Sequence, residues 1–158
     1  SGLTPVLKVE GRSASYKEFK KLYGALKTFD GISKNNPTDD RELRRLALNE
    51  IVGNILLDEL IAETDPALQN RAEELLAAAF KVNQNPSLEE AGKGLYGLTA
   101  ADFKKLILLP QAKRDALTER FEDDPERLEE LWNALLNTAD VAIYYPGFYW
   151  QDGEVKIK

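Results

Sequence analysis

The chain contains no cysteine, no histidine and no methionine. Without cysteine there is no disulfide, no thiol nucleophile and no cysteine zinc site. Without histidine there is no Ser-His-Asp chemistry, and most transition-metal sites lose their commonest ligand. Carboxylates, lysine, tyrosine, serine and threonine are what remain for catalysis. No apolar run approaches the ~20 residues a membrane helix needs, and no signal-peptide pattern is present. Positive charge is in the minority: 21 Lys and Arg against 27 Asp and Glu leave a net charge of −6. That argues against broad nucleic-acid binding, which needs cations against phosphate. The lack of cysteine suits an exported or a cytosolic protein alike. Ser1-Gly2 has the look of a tag-removal scar, which leaves room for a targeting or membrane-anchor segment outside the chain.

What is present suits one globular domain spanning residues 1–158. Apolar content is 43% and charged content 30%, and a chain of this length buries roughly 70% of its unfolded surface. The opening VLKVEGRSASYKEF predicts a strand, Val6–Glu10, closed by Gly11. Ser15 and Glu18 form a capping box, so a helix starts at Tyr16. Tyr16, Phe19, Leu22, Tyr23, Leu26 and Phe29 recur at helical spacing along it. A polar loop, GISKNNPTDD, follows.

The second helix starts near Asp39, with Glu42 as a second capping pair. It carries Leu43, Leu46, Ile51, Val52, Ile55, Leu56, Leu60 and Ile61, the most apolar stripe of the chain, and is expected at the centre. Asp65-Pro66 opens a third helix through Leu68, Ala72, Leu75, Leu76, Ala79 and Phe80, which NQNP ends. Ser87 and Glu90 open a short fourth, weakened by Gly92 and Gly94. Thr99 caps a fifth carrying Phe103, Leu106, Ile107, Leu117 and Phe121, with a kink expected at Pro110. Asp124-Pro125 opens a sixth through Leu128, Leu131, Trp132, Leu135 and Leu136.

After Asp140 the period changes. VAIYY reads as a strand, Pro146-Gly147 as a turn, and Asp152-Gly153 as the corner of a hairpin between FYWQ and EVKIK. A lone strand cannot satisfy its own backbone, so Val6–Glu10 is expected to pair with Val141–Tyr145. The expected fold is mainly α: about six helices and a small antiparallel sheet formed by the N-terminal and C-terminal strands.

This order of elements resembles the SurA/PrsA-type chaperone domain of exported foldases. Val9, Gly11, Ser15, Tyr16 and Phe19 match its opening strand-turn-helix pattern, although Glu10 and Ala14 replace the usual Asn and Ile or Val. Leu43, Leu48, Ile51, Val52, Leu56 and Leu57 match its long second helix. Gly97, Leu98, Thr99, Phe103 and Leu106 look like a later one. The resemblance covers nearly the whole chain, but its motifs are structural and loose. It implies chaperone-like binding of unfolded or extended polypeptide and an extracytoplasmic, periplasmic or cell-surface, location. A parvulin prolyl-isomerase domain usually interrupts that family before the last helix. Here EDDPER leaves no room for one, so the resemblance implies the binding part without the catalytic part.

Several other stretches carry residues capable of chemistry. The acid pairs Asp39-Asp40, Glu73-Glu74, Glu89-Glu90, Asp123-Asp124 and Glu129-Glu130 are helix neighbours that point apart, and several sit at helix starts. Asp30, Asn35, Asn36, Asp39 and Asp40 lack the spacing of a calcium loop and read as a polar connection. GKGLYG lacks the ending of a phosphate loop. Lys17, Lys20, Lys21 and Lys27 read as a solvated face, with an anion or membrane-surface contact as the alternative.

YYPGFYW is the most unusual stretch. Its aromatics either cap the open end of the helical core or form a platform for apolar peptides. The groove candidates are Tyr16, Phe19, Tyr23, Tyr144, Phe148, Tyr149 and Trp150. No catalytic residue, metal or cofactor is expected. The partner is unfolded or extended polypeptide, with the chain a monomer or homodimer. The alternative is an assembly module that binds one specific protein, its groove filled by its own tail.

Overall fold

Val9 and Arg12 face each other across a two-residue corner, Glu10-Gly11, in which both residues have positive φ, 49° and 81°. The computed structural model, which describes residues 2 to 82 and 87 to 158, therefore opens with a hairpin: β1 (Pro5–Val9) and β2 (Arg12–Ser15). Gly11, which in sequence marks the end of a strand, has a further part here. It is the second residue of a turn whose backbone twist suits antiparallel strands, so β1 has one partner next to it in sequence as well as the distant one.

The distant partner is β3 (Val141–Ile143), antiparallel, with Leu7 opposite Ile143 and Val9 opposite Val141. The expected pairing of the chain's two ends is present. Between Pro5 and Leu7 the β1–β2 register slips by one residue, and Val6 and Leu7 are both buried. A bulge of this kind lets neighbouring residues escape the strict alternation of a strand. β4 (Phe148–Gln151) and β5 (Glu154–Ile157) form a separate hairpin around Asp152-Gly153, again with positive φ at both corner residues. The strand residues thus make two small antiparallel sheets, β2-β1-β3 and β4-β5.

The rest is helical: α1 (Tyr16–Ser33), α2 (Asp40–Thr64), α3 (Leu68–Val82), α4 (Ser87–Tyr96), α5 (Ala100–Phe103), a π-helical segment (Lys104–Leu108), α6 (Leu109–Arg120) and α7 (Pro125–Thr138). With α5, the π segment and α6 taken as one continuous stretch, the described residues hold the six expected helices. Ser15 and Glu18 make the full capping box. Asp39 caps α2 by accepting from the Arg41 N–H at 3.1 Å, while Glu42 turns to Arg45. Asp65 accepts from the Ala67 N–H at 3.0 Å, and α3 proper starts at Leu68, two residues after Pro66. The expected end of the third helix in NQNP lies outside the described residues.

At Pro110 the helix runs on. The Leu109 N–H reaches back five residues to the Lys104 carbonyl, so the turn ahead of the proline is widened. A widened turn makes room for the ring and absorbs the missing donor.

Two compact units emerge, Ser1–Leu56 with Asn133–Lys158, and Leu57–Trp132; α2 and α7 each run from one into the other. The first holds both sheets, α1 and the start of α2, around Leu7, Val9, Phe19, Leu22, Leu48, Val52 and Val155. The second packs α3 against α6 and α4 against α5. As expected, α2 carries the longest buried stripe, from Leu43 through Leu48, Val52 and Leu56 to Ile61. Leu46 and Phe29, expected on buried faces, are 38% exposed, because the covered stripes are narrower than the apolar ones.

Candidate functional site

In the first unit the aromatic residues form one connected cluster. Tyr145 lies 4.8 Å from Phe19, 5.5 Å from Phe148 and 6.5 Å from Tyr16, ring centre to ring centre. Phe19 stacks on Tyr23 at 5.8 Å. These are the separations at which tilted and offset rings attract. Phe19 and Phe148 are buried, at 0% and 4% exposure.

Arg44 of α2 ties the cluster together. Its guanidinium lies 4.6 Å from the Tyr23 ring centre and donates to the Tyr145 hydroxyl and to Asp40. Tyr23 donates its hydroxyl to the same Asp40. That bond, with burial adding to it, raises the Tyr23 pKa above its ordinary value. The Tyr23 and Arg44 bonds hold Asp40 below the usual carboxylate range. The Asp40 bond in turn raises Arg44. A cation packed on aromatic faces and paired with a carboxylate clamps α1, α2 and the tail.

Of the seven groove candidates, Tyr16, Phe19, Tyr23 and Phe148 belong to this cluster. Tyr149 and Trp150 lie half-buried on β4, and Tyr144 points outward at 52% exposure. The central ring, Tyr145, was missed. Tyr144 and Tyr145 are indistinguishable by type, and both lie beyond the end of β3, where strand alternation no longer assigns a side.

The outer edge of β5 is occupied at Val155. Val155 lies opposite Trp150 in the register that turns its N–H and C=O away from β4. The N–H donates to Asn49 Oδ1 at 2.9 Å, and the C=O accepts from Arg45 at 3.1 Å. An extended peptide adding to β5 would have to displace both.

The second unit holds an apolar cleft of about 370 Å³. Its floor is Leu57 and Leu60 from α2 and Leu117 from α6, all buried. Its wall is Leu128 and Trp132 from α7, both half-buried. Pro125 adds to the apolar lining, and the polar atoms come from Arg114, Thr118 and Glu129. The helix α7 has no buried residue although its stripe is apolar. Sequence periodicity assigned Leu60, Leu117, Leu128 and Trp132 to core stripes. Periodicity shows which side of a helix is apolar, but not whether another element covers it. With one guanidinium, one hydroxyl and one carboxylate at an otherwise apolar surface, the arrangement suits binding by burial with a few polar contacts for orientation.

The lysine face carries a shallow hollow lined by Gly2, Tyr16, Lys17, Lys20 and Lys21. Lys20 packs over the Tyr16 ring at 5.7 Å and Lys27 over Tyr23 at 5.8 Å. In comparisons with known proteins, no family model, no curated protein and no solved structure matches this chain.

Proposed function

We propose that the chain is a non-catalytic module that binds apolar segments of other polypeptides in a chaperone-like way. The observation that carries this reading is the cleft of Leu57, Leu60, Leu117, Leu128 and Trp132. Water-facing apolar surface in a concave setting gains when another apolar side chain fills it, by about 1.5–3 kcal/mol per large side chain. A few such contacts, less the cost of ordering the bound segment, give affinities of about micromolar.

The purified protein should slow aggregation of a chemically unfolded client at near-equimolar ratio and without nucleotide. Trp132→Ala should weaken that protection, while Trp150→Ala should not. No protection at roughly tenfold excess, where a micromolar site would be saturated, would sink the reading. A proline peptide mixed with the protein should isomerise at its spontaneous rate, over roughly tens to hundreds of seconds. The resemblance to exported foldases also carries the proposal of an extracytoplasmic location. Finding the protein only in the cytoplasmic fraction of its cells would refute that part.

A second reading, the assembly module for one specific partner, is favoured by Tyr145 lying among Phe19, Tyr16 and Phe148. There the chain's own tail fills the aromatic surface. Tight binding to a single protein, with no protection of unrelated clients, would select it.

A further inference from the structure

We infer that the segment taken by the cleft is a cationic amphipathic helix. Its apolar side chains would seat between α6 and α7, and its basic flanks would meet the acid-rich surface around them. This deepens the binding reading above and rests on it.

The first argument is backbone accounting. The cleft is lined by side chains of α2, α6 and α7, and no strand edge contributes to it. An extended peptide lying there would gain no ladder of main-chain hydrogen bonds, yet its backbone groups would leave water. A helix satisfies those groups internally, which is why grooves between helices take helices.

Size agrees. About 370 Å³ is near the small end of ligand sites, which run from about 300 to 1,000 Å³. It has room for a few apolar side chains, which a helix presents on one face at i, i+3 and i+4.

The second argument is charge. Between residues 119 and 130 the chain carries seven acidic and two basic side chains. Glu122, Asp123 and Asp124 lie on the short connection between α6 and α7, the two helices that supply Leu117, Leu128 and Trp132. Glu126, Glu129 and Glu130 follow on α7, all exposed. Local cations offset only part of this. Arg71 holds Glu119 at 2.8 Å, Arg127 meets Glu130 at 3.4 Å, and Lys113 is held by Asp58 at 2.7 Å. Arg114 is the one cation among the lining residues. The surplus is negative, and a partner with lysine or arginine beside its apolar face gains where an acidic one is repelled.

The test is fluorescence anisotropy with labelled model peptides of about five turns, Leu at helical spacing and Lys elsewhere. Three controls keep the leucines but change one feature: Lys to Gln, Lys to Glu, or the same residues in an order with no apolar face. The Leu-Lys helix should bind best, with the Glu version at least roughly tenfold weaker at low salt and the gap closing as salt is raised. Glu122→Gln, Asp123→Asn and Glu126→Gln together should weaken the Lys peptide and leave the Gln peptide unchanged. Trp132→Ala should weaken both, with unchanged circular dichroism.

Equal binding of the Lys and Gln peptides would overturn the charge inference and leave the binding reading standing. Equal binding of the shuffled peptide would overturn the helical one. Failure of every peptide, together with failure to protect any client, would remove both the inference and the function it rests on. A dimer that Trp132→Ala dissolves would overturn the inference by making a second copy the occupant.

Discussion

Gly92 and Gly94 lie two residues apart in α4, and the structure gives them opposite meanings. A Cβ on Gly92 would fall 2.4 Å from Cγ of Phe103, whereas one on Gly94 meets nothing within 4 Å. Gly92→Ala should therefore cost about 1–3 kcal/mol, as overpacking does. Gly94→Ala should gain up to about 1 kcal/mol through helix propensity. Urea melts of the two variants check the pair. Both glycines read alike in sequence, as helix-weakeners, because the contact that separates them is made by a residue on another helix.

In sequence Asp30 likewise reads as part of a polar loop. It is buried, accepting from the Thr38 N–H at 2.7 Å and from the Thr38 hydroxyl at 2.5 Å, with Lys34 3.2 Å away. The bonds from Thr38 hold its pKa below the ordinary carboxylate value. A lowered folded pKa gives stability that is present at neutral pH and lost as pH falls below about 4 through the folded value. The melting temperature of Asp30→Asn should thus lie below that of the parent at pH 7, and the gap should narrow on acidification. A gap independent of pH would mean that the charge of the carboxylate is not what matters.

At the scale of elements, the β4–β5 hairpin is fastened by side chains of α2. Asn49→Ala would leave the Val155 N–H, at a residue with 0% exposure, without its acceptor. The expected cost is about 1–3 kcal/mol, and amide exchange at Val155 should quicken before that of its neighbours. An unchanged exchange rate would show that another acceptor takes over.

Elements were legible where one residue type does one job. Ser15 with Glu18, Asp124 before Pro125, and Asp152-Gly153 all act as read. The Glu10-Gly11 corner was not legible, because a glutamate at positive φ is unusual and Asn-Gly or Asp-Gly is the ordinary signal. At Pro110 the sequence announces a disturbance, but not that a π turn absorbs it.

For the whole molecule, the fold class and the pairing of the two ends followed from period and from backbone accounting. The site did not. Aromatic density drew attention to residues 144–150, but rings attract one another as strongly as they attract a ligand, and here Tyr145 joins Phe19 and Phe148. The apolar cleft lies instead among ordinary leucines and Trp132, with a buried floor and, of these, only Leu128 and Trp132 partly exposed. It is visible only once it is known which stripes are covered.

The measurement that tests this account most directly is hydrogen exchange of the full chain with and without the Leu-Lys helix. The account predicts slower exchange in residues 114–132 and around Leu57–Leu60, with residues 144–151 unchanged. Protection confined to residues 144–151, or no protection under conditions where the peptide is bound, would contradict it.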